Sequence, residues 1–484
     1  MATTTWIMLG LLVAQLVVIF GVVLQERRQP VATIAWVLAV LLIPFLGAFL
    51  YLLFGVRPSI KRNKRALLIA ERTAQLLADH EVMRKASQGI PDALLEPRTQ
   101  ALVTLGVNSG DAVVSDENHG TILPGAGPFY TAMLEAIADA KHHIHVCFYI
   151  IQPDATGRTL REALVEQARR GVEVRVLCDA LGSHKLPGHF WEPLTDVGGR
   201  SAEFSPIRLA PRFRRRDHVN YRNHRKIIVI DGRVGMTGGI NVGREYLGLD
   251  PTIGHWRDSH IALTGPAVLK LQQVFIEDWL ASTQTLLEDA AYFPDPPQTP
   301  AGNAIVQIVA SGPDRPWAVI HRIHALAIAN ARERLWITNP YYVPDRVIQN
   351  AIVTAALSGV DVRLLLPKKS DSRLVDYASR AYYAELLEAG VKIYHYDRGF
   401  LHAKTVVIDR WLGTVGSANM DIRSFHLNYE LNAFFYSADL VDELATQFEH
   451  DLKHTRRVSP DWVRRQSWWR RLAHAIAGLG APLL

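Results

Sequence analysis

The chain has 484 residues, enough for two or three folded units. Its two cysteines, Cys147 and Cys178, exclude a disulfide-built scaffold. A formal charge of +6 is too modest for a dedicated nucleic-acid binder and suits an anionic surface or a phosphate-bearing substrate.

The apolar residues are unevenly placed, because the first 55 residues carry only Glu26, Arg27 and Arg28 as charged side chains. Trp6 to Leu24 and Val31 to Gly55 are uncharged stretches of 19 and 25 residues, each long enough for a hydrocarbon layer about 30 Å thick. With QERRQP as a tight connector they predict a two-helix transmembrane hairpin. Arg57, Lys61, Arg62, Lys64 and Arg65 follow the second stretch, against two arginines in the connector, which favours a cytoplasmic body on a multi-pass membrane protein. A polar helical connector follows.

The body contains an internal repeat. KHHIHVCFYII leads to a helical stretch ending in ARRGVEVRVL, and RERLWITNPYY to one ending in ALSGVDVRLL, with Gly171 matching Gly359 as helix stops. Each copy reads as alternating strands and helices, an α/β unit. Cys147 and Cys178 fall in apolar runs that read as buried strands with inert thiols. The boundaries are a hairpin at 1–57, a connector at 58–115, halves at 116–292 and 303–455 joined by a proline-rich linker at 293–302, and an amphipathic tail at 456–484.

The repeat extends to the chemistry. NHRKIIVID places His224, Lys226 and Asp231, and LHAKTVVID places His402, Lys404 and Asp409, both as H-x-K-x4-D. After six intervening residues come GGIN, with Gly238, Gly239 and Asn241, and GSAN, with Gly416, Ser417 and Asn419. IIVID and TVVID read as strands, on which residues i and i+2 share a face, so each imidazole sits beside an ammonium. Paired lysines can neutralise a phosphodiester while asparagine amides donate further hydrogen bonds. One neutral histidine then attacks phosphorus and the other serves as acid and base. Two half-sites require the reaction centre to form where the halves meet.

The duplicated motif resembles the phospholipase D superfamily. The resemblance implies a pair of mixed sheets flanked by helices and related by a pseudo-twofold axis, a phosphohistidine intermediate, and no metal or other cofactor. It assigns His224 as nucleophile and His402 as acid/base, an order that the symmetric motifs leave open. It also calls for a carboxylate to hold each imidazole, for which Glu430 in LNYELN fits His402 and Asp258 in HWRDSH fits His224.

The halves differ in length, since Gly171 to His224 spans 53 residues and Gly359 to His402 spans 43. The excess coincides with a basic run, Arg208, Arg212, Arg214, Arg215, Arg216 and Arg222, read as a candidate binding surface for anionic headgroups or an anionic bilayer. Phe148, Tyr149, Tyr341 and Tyr342 read first as core. The tail, with Trp462, Trp468 and Trp469 among arginines, reads as an interfacial helix, with a protein-docking helix as the alternative.

RQPVATIAWVLAVLLIPFLGAFLYLLFG, NYRNHRKI, HWRDSH with TGPAV, and SANMDIRSFHLNYELN narrow the resemblance to the bacterial cardiolipin synthases. That implies membrane phospholipids as partners, phosphatidylglycerol being both donor and acceptor, and no nucleic acid. A hydrolase of the same chemistry, either a phospholipase D or a membrane-tethered nuclease, and a non-catalytic scaffold are the alternatives. A nuclease predicts a broad basic groove and a scaffold predicts damaged motifs, whereas both motifs are complete.

Overall fold

The computed structural model describes residues 15–21, 30–51, 96–110, 112–205, 221–251, 254–295, 299–462 and 464–479, with a few isolated positions elsewhere in the first 75. In each half an Asp-capped helix carries the chain between two parallel strands. Asp154 caps Ala155–Arg169 and Asp345 caps Arg346–Leu357, each accepting a backbone N–H three residues on. Both helices stop on the matched glycines, Gly171 at φ 89° and Gly359 at φ 92°. There the N–H groups of Val172 and Val360 reach back to Gln167 and Ala355, closing the same C-terminal motif twice.

The first half contributes β1 (Val114–Pro124), β2 (His143–Phe148), β3 (Glu173–Asp179), β4 (Arg200–Phe204), β5 (Ile227–Ile230), β6 (Val234–Gly238) and β7 (Ser259–Thr264). The second repeats them as β8 (Ala304–Ser311), β9 (Arg334–Thr338), β10 (Asp361–Pro367), β11 (Lys392–Tyr396), β12 (Thr405–Ile408), β13 (Leu412–Gly416) and β14 (Glu430–Phe435). With β15 (Thr455–Arg457) they form one mixed sheet in the order 15-11-10-9-12-13-14-8-1-7-6-5-2-3-4. Apart from β15 the order is palindromic about the antiparallel β1–β8 contact, so the halves share a continuous sheet.

One face of that sheet is covered by Ala267–Thr283 and Ala438–Leu452, whose Leu271, Phe275, Trp279, Leu444 and Phe448 join residues from both halves in a single core. The other face carries a separate core for each half. Cys147 and Cys178 are buried free thiols, both pushed up by burial.

Among the described residues no helix is long and apolar enough to cross a membrane. The second apolar stretch is divided into Pro30–Leu42 and Pro44–Leu50 at Ile43, where Pro44 supplies no N–H to a continuous helix. Val18 and Ile19 of the first stretch still pack on Val40 and Tyr51 of the second. The basic residues used for orientation lie outside the described residues.

Within the connector β1 starts at Val114, and the helix Pro97–Gly110 sinks Leu102 and Val103 into the second half's core. Gly106 and Gly110 permit this, since a Cβ at either would collide with Gln307 or Val319. At the other end Thr455–Arg457 adds to β11.

Candidate active site

His224 and Lys226 immediately precede β5, and His402 and Lys404 immediately precede β12, placing both pairs at equivalent strand ends. Short cross-connections between the halves then set the geometry. Gly399–Leu401 pairs in parallel with His255–Arg257, with Leu401 opposite Arg257, so the next residues, His402 and Asp258, come side by side. The symmetric bridge joins Asn223 to Tyr429, bringing His224 beside Glu430. Backbone bonds fix both registers, His402 N–H to Arg257 O at 2.7 Å and His224 N–H to Tyr429 O at 2.9 Å.

The carboxylates are therefore exchanged between halves. Nδ1 of His224 lies 3.0 Å from Glu430 Oε2, and Nδ1 of His402 lies 2.6 Å from Asp258 Oδ2. This corrects the expected within-half assignment of Glu430 to His402 and Asp258 to His224. Sequence alignment matched the carboxylates to their own repeats, whereas parallel pairing across the interface carries each to the other. The two supports differ in detail. Ser417 Oγ donates to Glu430, while at the matching position Gly239 leaves room for Asp258, which a Cβ there would strike.

Both carboxylates are wholly buried and held ionised against the cost of burial, Asp258 at about 2 by Lys404 and His402, and Glu430 below its ordinary value by His224. Burial, helped by the lysines, pulls both histidines down, so they are neutral at neutral pH. With Nδ1–H donated to the carboxylate, each Nε2 keeps its lone pair. Burial also lowers Lys226 to about 7, further disfavoured by the Lys404 charge, and Lys404 to about 8, against the pull of the Asp258 and Glu430 carboxylates. Lys226 feels the Lys404 charge, so the two ammoniums belong to one centre, ready for an anion.

Asn241 Oδ1 accepts from Ile150 N–H and its amide reaches Tyr246, whereas Asn419 Oδ1 is buried without a hydrogen-bond partner among the described residues. The four aromatics divide. Phe148 and Tyr342 are core, but the Tyr149 ring lies 5.0 Å from that of His224, and that of Tyr341 lies 6.2 Å from His402.

The structure puts Asp231 and Asp409 elsewhere, which corrects their expected catalytic position. They follow β5 and β12, about 16 Å along the strand from the lysines. Asp231 accepts the backbone N–H groups of Lys141, His142 and His143, and Asp409 those of Arg332, Glu333 and Arg334. Both sit in the left-handed region, at φ 53° and 49°. They are loop clamps.

Arg208, Arg212, Arg214, Arg215 and Arg216 lie outside the described residues. Arg222 is buried, paired with Asp179 at 3.3 Å, and its Nε and Nη2 have no hydrogen-bond partner among the described residues. Sequence reasoning missed this pair, and also Arg225–Asp278 at 2.6 Å and Arg257–Asp451 at 2.8 Å, which brace the two cross-connections from the covering helices. The adjacency of Arg225 and Arg257 to His224 and Asp258 was the available signal.

A sheet shared by two equivalent halves, with exchanged histidine–carboxylate pairs around two lysines, defines a phosphodiester-processing enzyme of the phospholipase D superfamily. A family model described as "Cardiolipin synthase, PLD-like domain" matches residues 133–279 and 325–452, and one described as "Phospholipase_D-nuclease N-terminal" matches 11–55. The cardiolipin synthase of Geobacillus thermodenitrificans is 40% identical over 478 residues, covering 98% of this chain and 93% of its own. The major cardiolipin synthase ClsA of Bacillus subtilis is 38% identical over 470 residues, covering 96% of each. A phosphatidylserine synthase structure from Haemophilus influenzae shares the fold, with a TM-score of 0.59 at 14% identity over 79% of this chain and 98% of its own. The chain belongs to the cardiolipin synthase family, the phosphatidyltransferases of that superfamily.

Proposed function

We propose that the enzyme transfers a phosphatidyl group from one phosphatidylglycerol to a primary hydroxyl of a second, releasing glycerol, through a phosphohistidine on His224. The exchanged carboxylate pairs carry this reading, because they give two histidines the same tautomer on opposite sides of one lysine-lined centre. Lys226 and Lys404 take the non-bridging oxygens, with Asn241 and Asn419 as amide donors. His224 Nε2 attacks phosphorus as His402, protonated once the substrate anion is bound, gives its Nε2 proton to the leaving glycerol oxygen. His402 then takes the proton of the second lipid's hydroxyl, whose oxygen attacks phosphorus and displaces His224. Arg222, and the arginines at 212 and 214–216, are read as headgroup contacts.

The apolar N-terminal region is read as a membrane-anchoring hairpin that holds a cytoplasmic body against the inner membrane, and the tail helix as a second contact. Impermeant labelling of a cysteine placed at Lys64 in intact cells tests the side. Labelling from outside rejects a cytoplasmic body.

Exchanging one primary-alcohol phosphodiester for another has an equilibrium constant near unity, so added glycerol should reverse the reaction. The purified protein with phosphatidylglycerol in mixed micelles should give a double-headed phospholipid and free glycerol, with yield falling as glycerol is raised. Phosphatidic acid as the main product, insensitive to glycerol, identifies a hydrolase instead.

A further inference from the structure

Away from the two motifs, the second half gathers three metal-binding side chains from separate segments. His321 is in the first turn of Val319–Ala329, Asp345 caps Arg346–Leu357, and His426 ends the short helix Ile422–His426. Asp345 Oδ2 lies 2.9 Å from His321 Nε2 and 3.8 Å from His426 Nε2, and the three ligand atoms all lie within 4.8 Å of one another. The capping bond from Ile348 N–H goes to the other oxygen, Oδ1, so Oδ2 is available. In the first half the matching cap, Asp154, spends its second oxygen on Arg244 N–H.

His321 is only 8% exposed, and its Nε2 is buried without a properly directed hydrogen bond although the carboxylate is at bonding distance. That combination is poor for an ion pair, in which the proton should lie on the line to its acceptor. It suits two lone-pair atoms that face a common point. The Phe425 ring lies 5.0 Å from the imidazole in a T-shaped arrangement.

We propose that His321, Asp345 and His426 bind one Zn2+ ion, or a divalent transition metal of similar preference. Two imidazole nitrogens and one carboxylate oxygen match such an ion, with water in the fourth place. Ligand atoms about 2.1 Å from one tetrahedral ion are about 3.4 Å apart, so the exposed His426 closes in by up to about 1.4 Å. The ion would staple together two segments that reach the active site. Tyr342–Val343 pairs with Met420–Asp421; Tyr341 and Asn419 directly precede these strands, and Asp345 and His426 follow them. The ion positions that rim and takes no part in bond making.

The test is titration of the full-length, zinc-stripped protein with Zn2+ against a chromophoric chelator, alongside melting temperature and the visible spectrum of the Co2+ form. One ion per chain, a raised melting temperature and tetrahedral Co2+ bands are expected, all lost in His426→Ala, whose exposed site leaves folding intact. Asp345→Asn keeps the helix cap and should bind more weakly. Substoichiometric binding, or binding unchanged in His426→Ala, overturns the site. None of these readouts depends on the transferase activity.

Discussion

His224 and Glu430 belong to opposite halves of the chain, yet their Nδ1 and Oε2 atoms lie 3.0 Å apart in the interior. The symmetric contact joins His402 to Asp258. Each half thus holds the other's imidazole in its working tautomer, so neither half carries a complete histidine–carboxylate unit alone.

The exchange separates two classes of variant. Glu430→Gln should impair the nucleophile and Asp258→Asn the acid, each lowering kcat on the order of 10²- to 10⁴-fold with phosphatidylglycerol. A phosphodiester with a nitrophenol leaving group needs no acid. It should rescue formation of the phosphoenzyme in Asp258→Asn and His402→Ala, and leave Glu430→Gln and His224→Ala impaired. Rescue of the opposite set reverses the roles of the two histidines.

The lysines set the alkaline limit. Burial brings Lys226 to about 7 and Lys404 to about 8, so the free site loses positive charge as pH rises through this window. Because kcat/KM reports the free enzyme, it should fall from about pH 7 upward. Bound phosphodiester restores the lysine charge, so kcat should hold to higher pH. The histidines lie below their ordinary value and stay neutral on the acid side of pH 6.5. An alkaline limb that begins only near pH 10 rejects depressed lysines.

Asp231 and Asp409 bear on stability instead. Asp231→Ala leaves three backbone N–H groups unpaired and puts alanine at φ 53°. A loss of about 2–4 kcal/mol is expected, with kcat nearly unchanged well below the melting temperature. Asp231→Asn, which tolerates that backbone region and still accepts hydrogen bonds, should lose less. Calorimetry with low-temperature kinetics checks this, and a large fall in kcat at full stability returns Asp231 to the reaction.

The duplicated strands, the helix stops at Gly171 and Gly359 and the His–Lys pairs were legible because each rests on neighbours in sequence. The i, i+2 rule that paired His224 with Lys226 also puts Asp231 out of phase with them, a signal available and unused. The Asp258–His402 contact was not legible. It depends on the register of two three-residue strands, His255–Arg257 and Gly399–Leu401, fixed by buried ion pairs such as Arg257–Asp451 rather than by local pattern. The break at Ile43 was obscured by uniform hydrophobicity, although Pro44 marked it.

The tail helix Trp468–Leu479 turns two faces to different surroundings, and this yields the last prediction. Ala477 is buried with Ala378 and Val343, and the His474 ring stacks 5.7 Å from Trp462, so one face docks on the second half. On the other, Trp468 and Trp469 are 61% and 63% exposed and Leu472 and Ile476 continue the stripe, with Arg470 beside it. A docked helix with an unpartnered aromatic edge and flanking cations suits the headgroup layer of an anionic bilayer. In full-length protein reconstituted into phosphatidylglycerol vesicles, brominated acyl chains should quench these tryptophans, and Trp468→Phe/Trp469→Phe should lower the quenched fraction. Trp468→Ser/Trp469→Ser/Ile476→Ser should raise the apparent KM under surface dilution and leave kcat and the melting temperature unchanged, since its sites face away from the core. Ala477→Glu, by contrast, should undock the helix and lower the melting temperature. Quenching unaltered in the double phenylalanine variant would mean that this edge meets no lipid.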